Sequence, residues 1–392
     1  MKIIVLKFGG NSLRTSELRS KVTDIIADRI QAGYSPVVVV SALGRAGEPY
    51  ATDSLLDILP ECSTDRHRSL ISSCGEIISA TLLAEELNYK NFRAIALTGW
   101  QAGILTEDAF AQSKVINIDI SAVMAELKEN HIPVICGFQG ISASGEITTL
   151  GRGGSDTSAA LLARALNASQ LELFKDVDGI FTADPYKVKN ARIISELDYQ
   201  EIAELSGNGA RIVHNPAIRQ LADQKIPLLL GKTWTGKHGT CIQPCQHNRH
   251  ITAVTSKSGL ARLTLRIKQN MQLSAVFTAF AEAVISIDFI TVNHDMVSFV
   301  FNEDKTELAN SLLKRLFIYG EILSGFCKIT VIGSGMTGQP GVMAKLCTSL
   351  EAVNIKILMA TDSYSTISCL IGQAEEVKAL NTIHNAFNLQ EG

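Results

Sequence analysis

Long apolar runs are missing from this 392-residue sequence: the longest, such as residues 36–40, are far too short to cross a bilayer. An excess of one charge is missing too. Lys and Arg number 36 against 39 Asp and Glu, a net charge of −3, and no long basic run occurs. That excludes nucleic acid and anionic membrane surfaces as the main partners. Two familiar nucleotide motifs are also absent. The dinucleotide fingerprint GxGxxG would need glycine where Asp156 stands, and the P-loop pattern GxxxxGK[ST] occurs nowhere. The N-terminal residues reach Lys7 too soon for a signal-peptide core and read as a strand, so a cytoplasmic protein is expected.

Cysteine is present but scattered, at positions 62, 74, 136, 241, 245, 327, 347 and 369. Several lie in apolar runs, where a thiol behaves as a small hydrophobe. Cys241, Cys245, His247 and His250 fall close together, but their spacing matches no common zinc site, and a solvated linker is the expectation.

The densest chemistry is the stretch 148–158, TTLGRGGSDTS, which runs into the apolar helical segment 159–163. Ser155, Asp156 or Thr157 can cap that helix. Glycines let backbone approach a ligand closely, and a helix N-terminus favours an anion. Arg152 adds a planar fork of donors suited to a carboxylate or phosphate. At the other end of the chain's first half, Lys7 leaves a strand directly onto Gly9-Gly10, a point cation beside a glycine turn, which suits phosphates.

The chain is too long for one ordinary core, so two or three domains are expected. Its first half alternates apolar strands, at 3–6, 37–40, 92–97, 133–136, 171–174 and 227–230, with helix-length segments such as 16–33 and 118–128. This is the pattern of an α/β domain with a mostly parallel sheet. Glycine, hydroxyl or charge follows each strand: Lys7–Gly10, Ser41, Thr98-Gly99, Gly137, Lys175-Asp176 and Gly231-Lys232. Open α/β sheets bind ligands beyond the carboxyl ends of their strands, so the six tips should face one crevice. Beyond a polar stretch ending near His250, strand-like 261–267, helical 273–283 and strand-like 284–289 are followed by a second cycle of strand 328–332, helix 342–352, and strands 355–359 and 366–371. Two such units suggest a tandem α+β module.

Taken together, these pieces resemble the aspartate kinases of the amino-acid kinase family. The likeness rests on KFGGNSL (7–13), VVVVSALGR (37–45), TDSLL (52–56), SCGE (73–76), TGWQAG (98–103), GFQG (137–140), ITTLGRGGSDTSAALLA (147–163) and KDVDGIFTADP (175–185). It implies a three-layer αβα kinase domain over 1–242 and a linker or strand over 243–256. Two ACT-like βαββαβ modules, which sense amino acids, would follow over 257–325 and 326–392. ATP and L-aspartate are the implied substrates, with Mg²⁺ as cofactor and a homo-oligomer formed through the ACT modules. The resemblance gives Lys7, Phe8, Gly9 and Gly10 to the phosphates, and Lys175, Asp176, Phe181 and Asp184 to the nucleotide pocket. It gives Arg152 to the α-carboxylate of aspartate, Glu76 and Asp156 to its ammonium group, and Ser41, Thr52 and Ser155 to hydroxyl contacts. Arg211 stands where a lysine would stabilise the transferring phosphoryl group. No residue is assigned to a metal.

Departures from the family's pattern are Asn11 for Ser or Thr, Lys175 for Ser or Thr, Tyr186 for Arg, and Arg211 for Lys. Alternatives are a catalytically weak or silent amino-acid-sensing relative, or a kinase for another amino acid such as glutamate. An effector loop is expected in the second module at 331–342. In the first module residues 267–272 replace the usual Pro-Gly turn, so its own effector site is in question. Feedback by diaminopimelate, lysine or threonine is expected; the 362–368 phrase resembles diaminopimelate-sensitive forms at least as well as lysine-sensitive ones.

Overall fold

The computed structural model describes residues 1–210, 213–245, 250–267, 272–334, 336 and 340–391. Arg211, His247, residues 268–271 and, within the expected effector loop at 331–342, residues 335 and 337–339 therefore lie outside the described residues. Contacts divide the chain into two compact units. The first comprises Met1–Ile180, Ile193–Ala203 and Arg211–Gln246; the second comprises Phe181–Arg192, Glu204–Ala210 and His247–Gly392.

In the first unit an eight-stranded sheet runs Glu196–Leu197, His238–Ile242, Leu228–Lys232, Leu171–Lys175, Ile3–Phe8, Ser35–Val40, Ile132–Cys136, Ala94–Leu97. Its pairings are parallel except between Leu228–Lys232 and His238–Ile242. The central strands are almost continuous Val, Ile and Leu because both of their faces are covered. Ile4, Leu6, Phe8, Val38 and Val40 pack under the helices Ser16–Gln31 and Asp65–Tyr89. The alternate residues Val5, Val37 and Val39 are equally buried, and the helix Gly154–Ala165 lies along the same strands. Thr15 caps the first of these helices, its hydroxyl accepting from Leu18 N at 3.2 Å.

Register is what builds the site. Phe8 lies opposite both Val40 and Phe174, Val40 opposite Cys136, and Phe174 opposite Gly231. The strands thus end in one row, and the residues after them leave the sheet along one edge.

A second, four-stranded sheet (Val115–Ile118, Ile104–Thr106, Gln139–Ser142, Ile147–Thr149) is not foreshadowed in the sequence. Its strands are only three or four residues long, too short for periodicity to register. For the same reason the helix expected over 118–128 starts later, at Ser121, after Asp119 Oδ1 accepts from Ser121 N at 2.9 Å.

The second unit is built on one antiparallel six-stranded sheet, in the order Ile287–Val292, Met296–Asn302, Ala253–Arg266, Gly320–Ile332, Thr366–Gly372, Met359–Asp362. Two long strands serve both modules. The first part of Ala253–Arg266 pairs Ala253 with Ile332 through Lys257 with Lys328. Past an irregularity at 257–260 the rest pairs Leu263 with Ile322 and with Phe299. Each module buries its own apolar cluster, one around Leu263, Phe280, Phe299 and Leu313, the other around Ile329, Leu346, Ile371 and Leu380. The strands expected over 284–289 and 355–359 begin later, at Ile287 and Met359. Val284 and Asn354 instead take positive φ (+55° and +58°), reversing the chain after each helix.

Phe181–Arg192 falls within the stretch expected to belong wholly to the kinase domain, yet it packs with the second unit. Val254 N donates to Thr182 O (2.9 Å), Thr182 Oγ1 meets His384 Nε2 (2.9 Å), and Lys187 Nζ pairs with Glu376 (2.7 Å). Ala183 and Val188 share the apolar cluster of Ile329 and Leu380. An expected boundary at 242 does not foresee this excursion, which rests on contacts between segments about 200 residues apart.

Candidate active site

Two neighbouring strands supply the basic side of the site. Lys7 sits opposite Leu173, so Lys175, two residues further, projects to the same face of the sheet. Between the two lysines lies Asp156, in the first turn of the helix Gly154–Ala165. Lys7 Nζ is 2.7 Å from Asp156 Oδ1, and Lys175 Nζ is 2.9 Å from Oδ2. Burial works to raise the Asp156 carboxyl, but the two ammonium groups prevail and hold it far below the usual carboxylate range. Burial lowers Lys7, opposed by Asp156 and assisted by Lys175. The resemblance gives Asp156 an ammonium contact; here each of its oxygens already pairs with a lysine.

The turn at Gly9-Gly10 packs tightly on the next strand tip. A Cβ on Gly10 would stand 2.3 Å from Ala42 O, and Gly44 N donates to Gly10 O at 3.1 Å. Phe8 does not present its side chain: the ring is fully buried and stacks on Phe174 with centroids 5.0 Å apart. Any part of Phe8 in nucleotide binding is confined to its backbone. Asp176 is exposed and accepts from Asn11 Nδ2 at 3.0 Å and Arg45 Nη2 at 3.4 Å. The sequence gives Arg45 no role of its own: it closes the 37–45 motif, and only the fold brings it to Asp176.

The acceptor side is a cleft of about 510 Å³ whose lining includes Lys7, Ser41, Thr52, Glu76, Arg152, Ser155 and Asp156. Every residue assigned to aspartate is therefore in one cavity. Glu76 comes from the long helix Asp65–Tyr89 and is 2% exposed. Its neighbour Gly75 permits the approach, since a Cβ there would stand 2.6 Å from Ala42 Cβ. Glu76 Oε1 accepts from Ala42 N at 2.8 Å, whereas Oε2 is buried with no hydrogen-bond partner among the described residues. Burial pushes this carboxyl up to about 8, against the Ala42 amide and Lys7.

Arg152 stands exposed between Gly151 and Gly153, whose φ values of +73° and +72° only glycine adopts at ease. The helix begins on Gly153 with no side-chain cap, contrary to the expected capping by Ser155, Asp156 or Thr157. Those side chains turn elsewhere, Thr157 Oγ1 donating to Gly153 O at 3.2 Å. A Cβ on Gly153 would stand 2.5 Å from the His214 ring, so that ring backs the loop carrying Arg152.

Not all the expected tips arrive. Thr98 and Gly99 do not line the cleft; Thr98 Oγ1 donates to Gln101 Oε1 at 2.9 Å. Gly231 and Lys232 lead into the strand His238–Ile242 instead. Phe181 and Asp184 belong to the second unit; Asp184 is exposed and accepts from Tyr186 N at 3.0 Å. Arg211 lies outside the described residues. Among the described residues no group of three His, Cys, Asp or Glu is placed to hold a metal ion. Burial raises the thiols of Cys241 and Cys245, the latter to about 12, which disfavours the thiolate that binds metal. No helix among the described residues is long and apolar enough to cross a membrane.

Known proteins resemble this chain in sequence and fold. Residues 2–232 match the model of the amino acid kinase family, and residues 329–387 match an ACT domain. Aspartokinase 1 of Bacillus subtilis (strain 168) is 35% identical over 404 residues, covering all of both chains. Aspartokinase III of E. coli, solved in complex with aspartate and ADP, superposes with a TM-score of 0.80 at 26% identity, covering 98% of this chain and 99% of that one. Its structure with lysine and aspartate gives 0.78 at 25%, covering 99% and 100%. From the cleft, the sheet that carries it and these full-length likenesses, the chain belongs to the amino acid kinase family, among its aspartokinases.

Proposed function

We propose that the chain is an aspartate kinase, transferring the γ-phosphoryl group of ATP to the side-chain carboxylate of L-aspartate to give 4-phospho-L-aspartate and ADP. The observation that carries this reading is the pairing, in one cleft, of an exposed arginine fork with a buried carboxylate whose second oxygen has no hydrogen-bond partner among the described residues. A zwitterionic amino acid needs such an anion clamp and cation clamp side by side. Arg152 takes the α-carboxylate in a bidentate pair and Glu76 takes the ammonium group. Ser41, Thr52 and Ser155 supply hydroxyl contacts. The free side-chain carboxylate then faces the phosphate side.

One carboxylate oxygen attacks the γ-phosphorus in line, and the bond from that phosphorus to the β–γ bridging oxygen breaks as ADP leaves. The nucleophile is already ionised near neutral pH, so no general base takes part. Catalysis rests on orientation and on cations aimed at the transferring group: Lys7 from the strand tip, with Arg211 proposed as a further one. With no protein cage of three acidic or imidazole groups among the described residues, Mg²⁺ would be held mainly by phosphate oxygens and water, where it neutralises charge. Asp176, which follows Lys175 in the chain and accepts from Asn11 and Arg45, would serve the nucleotide side.

Glu76 makes aspartate binding pH-dependent. Below about 8 the free carboxyl carries a proton, and an incoming ammonium group favours the ionised form. The proton is released on binding, so apparent affinity for aspartate rises with pH between 6 and 8, by up to about tenfold per unit, and levels above. Measuring the aspartate KM across that range checks this; Glu76→Gln should weaken binding and flatten the profile, and a flat wild-type profile would refute the role of Glu76.

Amino-acid feedback through the ACT modules, homo-oligomerisation through them and a cytoplasmic location complete the reading. The E. coli enzyme solved with lysine supports an amino-acid effector. The deciding experiment is aspartate-dependent ADP formation by the purified chain, repeated with lysine, threonine and meso-diaminopimelate. Activity insensitive to all three would remove the feedback proposal, and no activity would remove the kinase proposal.

A further inference from the structure

We infer that Lys175 is a second phosphate-binding cation, presented beside Lys7 by a carboxylate that the two lysines share, and that Asp156 is the positioning residue for both. The inference deepens the kinase reading by assigning this side chain to the β- and γ-phosphates. Charge balance is the first argument. Lys7 and Asp156 alone form a neutral buried pair, their side chains 7% and 7% exposed, and a buried carboxylate needs no second partner for neutrality. Adding Lys175 at 2.9 Å gives these three side chains two cations to one anion. Such an excess is costly in a closed interior and favourable where a polyanion docks.

Placement is the second argument. Strand register puts Lys175 one step past Phe174, level with Gly9 beyond Phe8, and Gly9 N donates back to Phe174 O at 3.4 Å. The lysine therefore emerges beside the glycine turn, at the carboxyl ends of parallel strands where open α/β sheets take ligands. Its side chain is 21% exposed, against 7% for Lys7, with the ammonium group held on Asp156. The shared carboxylate is also economical. One oxygen of Asp156 orients each lysine, which sets two point charges a fixed distance apart, the arrangement that neighbouring phosphates require. Spread-out lysines would have to be ordered on binding at an entropic cost.

The test compares Lys175→Ser, Lys175→Met and Lys175→Arg with the wild type as full-length proteins. Calorimetry gives the affinity for the non-hydrolysable β,γ-imido analogue of ATP and for aspartate, and thermal unfolding is followed without ligand. Loss of one charge-assisted contact predicts that Ser and Met weaken the ATP analogue by about 10- to 100-fold. Arg should recover much of the loss, aspartate affinity should stay within about twofold, and the ligand-free midpoint should hold, because Lys7 and Asp156 remain paired. A lower midpoint with unchanged nucleotide affinity would make Lys175 a structural counter-ion and overturn the inference. So would a wild type that does not bind the analogue. A wild type that binds it but phosphorylates no aspartate would sink the kinase reading and leave this one standing.

Discussion

Replacing Lys7 with alanine is expected to lower turnover by about 10³-fold while the protein stays folded. The magnitude follows from removing a fixed positive charge where negative charge gathers on the transferring phosphoryl group, in a site shielded from water. The survival of the fold follows from the shared carboxylate. Deleting one partner of a buried ion pair normally strands a charge and costs several kcal/mol, about 3–5. Here Asp156 keeps Lys175 at 2.9 Å, so its charge is not orphaned. Lys7→Ala should therefore unfold within a few degrees of the wild type, with aspartate KM little changed. A variant that keeps more than a tenth of the wild-type turnover would show that Lys7 is not aimed at the reacting phosphate. A variant that fails to fold would contradict the claim that Lys175 neutralises Asp156 by itself.

Arg152→Ala has the opposite signature. Its guanidinium is exposed on a loop held by two glycines of positive φ, so nothing in the core depends on it. Losing a bidentate charge-assisted pair should raise the aspartate KM by about 100-fold. ATP affinity should be nearly unchanged, since Lys7, Lys175 and Gly10 are untouched. A lysine at this position would restore the charge without the planar fork, so Arg152→Lys should fall between the alanine variant and the wild type. Steady-state kinetics with each substrate varied in turn separates these effects; an unchanged aspartate KM in Arg152→Ala would refute the carboxylate clamp.

How legible this is in the sequence differs from residue to residue. The parallel sheet can be read because its strands are buried on both faces and spell out runs of Val and Ile, and the tips stand out because glycine and charge follow such runs. Ser41, Thr52, Glu76, Arg152, Ser155 and Asp156 come from the resemblance, and the cleft holds all six. What cannot be read is pairing. Nothing in sequence spacing says that Asp156 reaches both Lys7 and Lys175, because the first pair is far apart in the chain and only the register of two strands puts the lysines on one face of the sheet. The burial of Glu76 depends on Gly75 lying against Ala42, a contact between a helix and a loop with no periodic trace. The small four-stranded sheet escapes the sequence because three-residue strands carry no alternation to count. The packing of Phe181–Arg192 into the second unit is hidden for the same reason as the lysine bridge: His384 and Thr182 are neighbours in space alone.

On the proposed function, this cleft makes an acyl phosphate on the side chain of aspartate. Trapping the product with hydroxylamine tests it most directly, because only an acyl phosphate yields a hydroxamate. Incubated with ATP, Mg²⁺ and hydroxylamine, the full-length protein should give aspartyl β-hydroxamate in step with ADP, and glutamate in place of aspartate should give little or none. Hydroxamate from glutamate at a comparable rate, or from neither amino acid, would contradict the account.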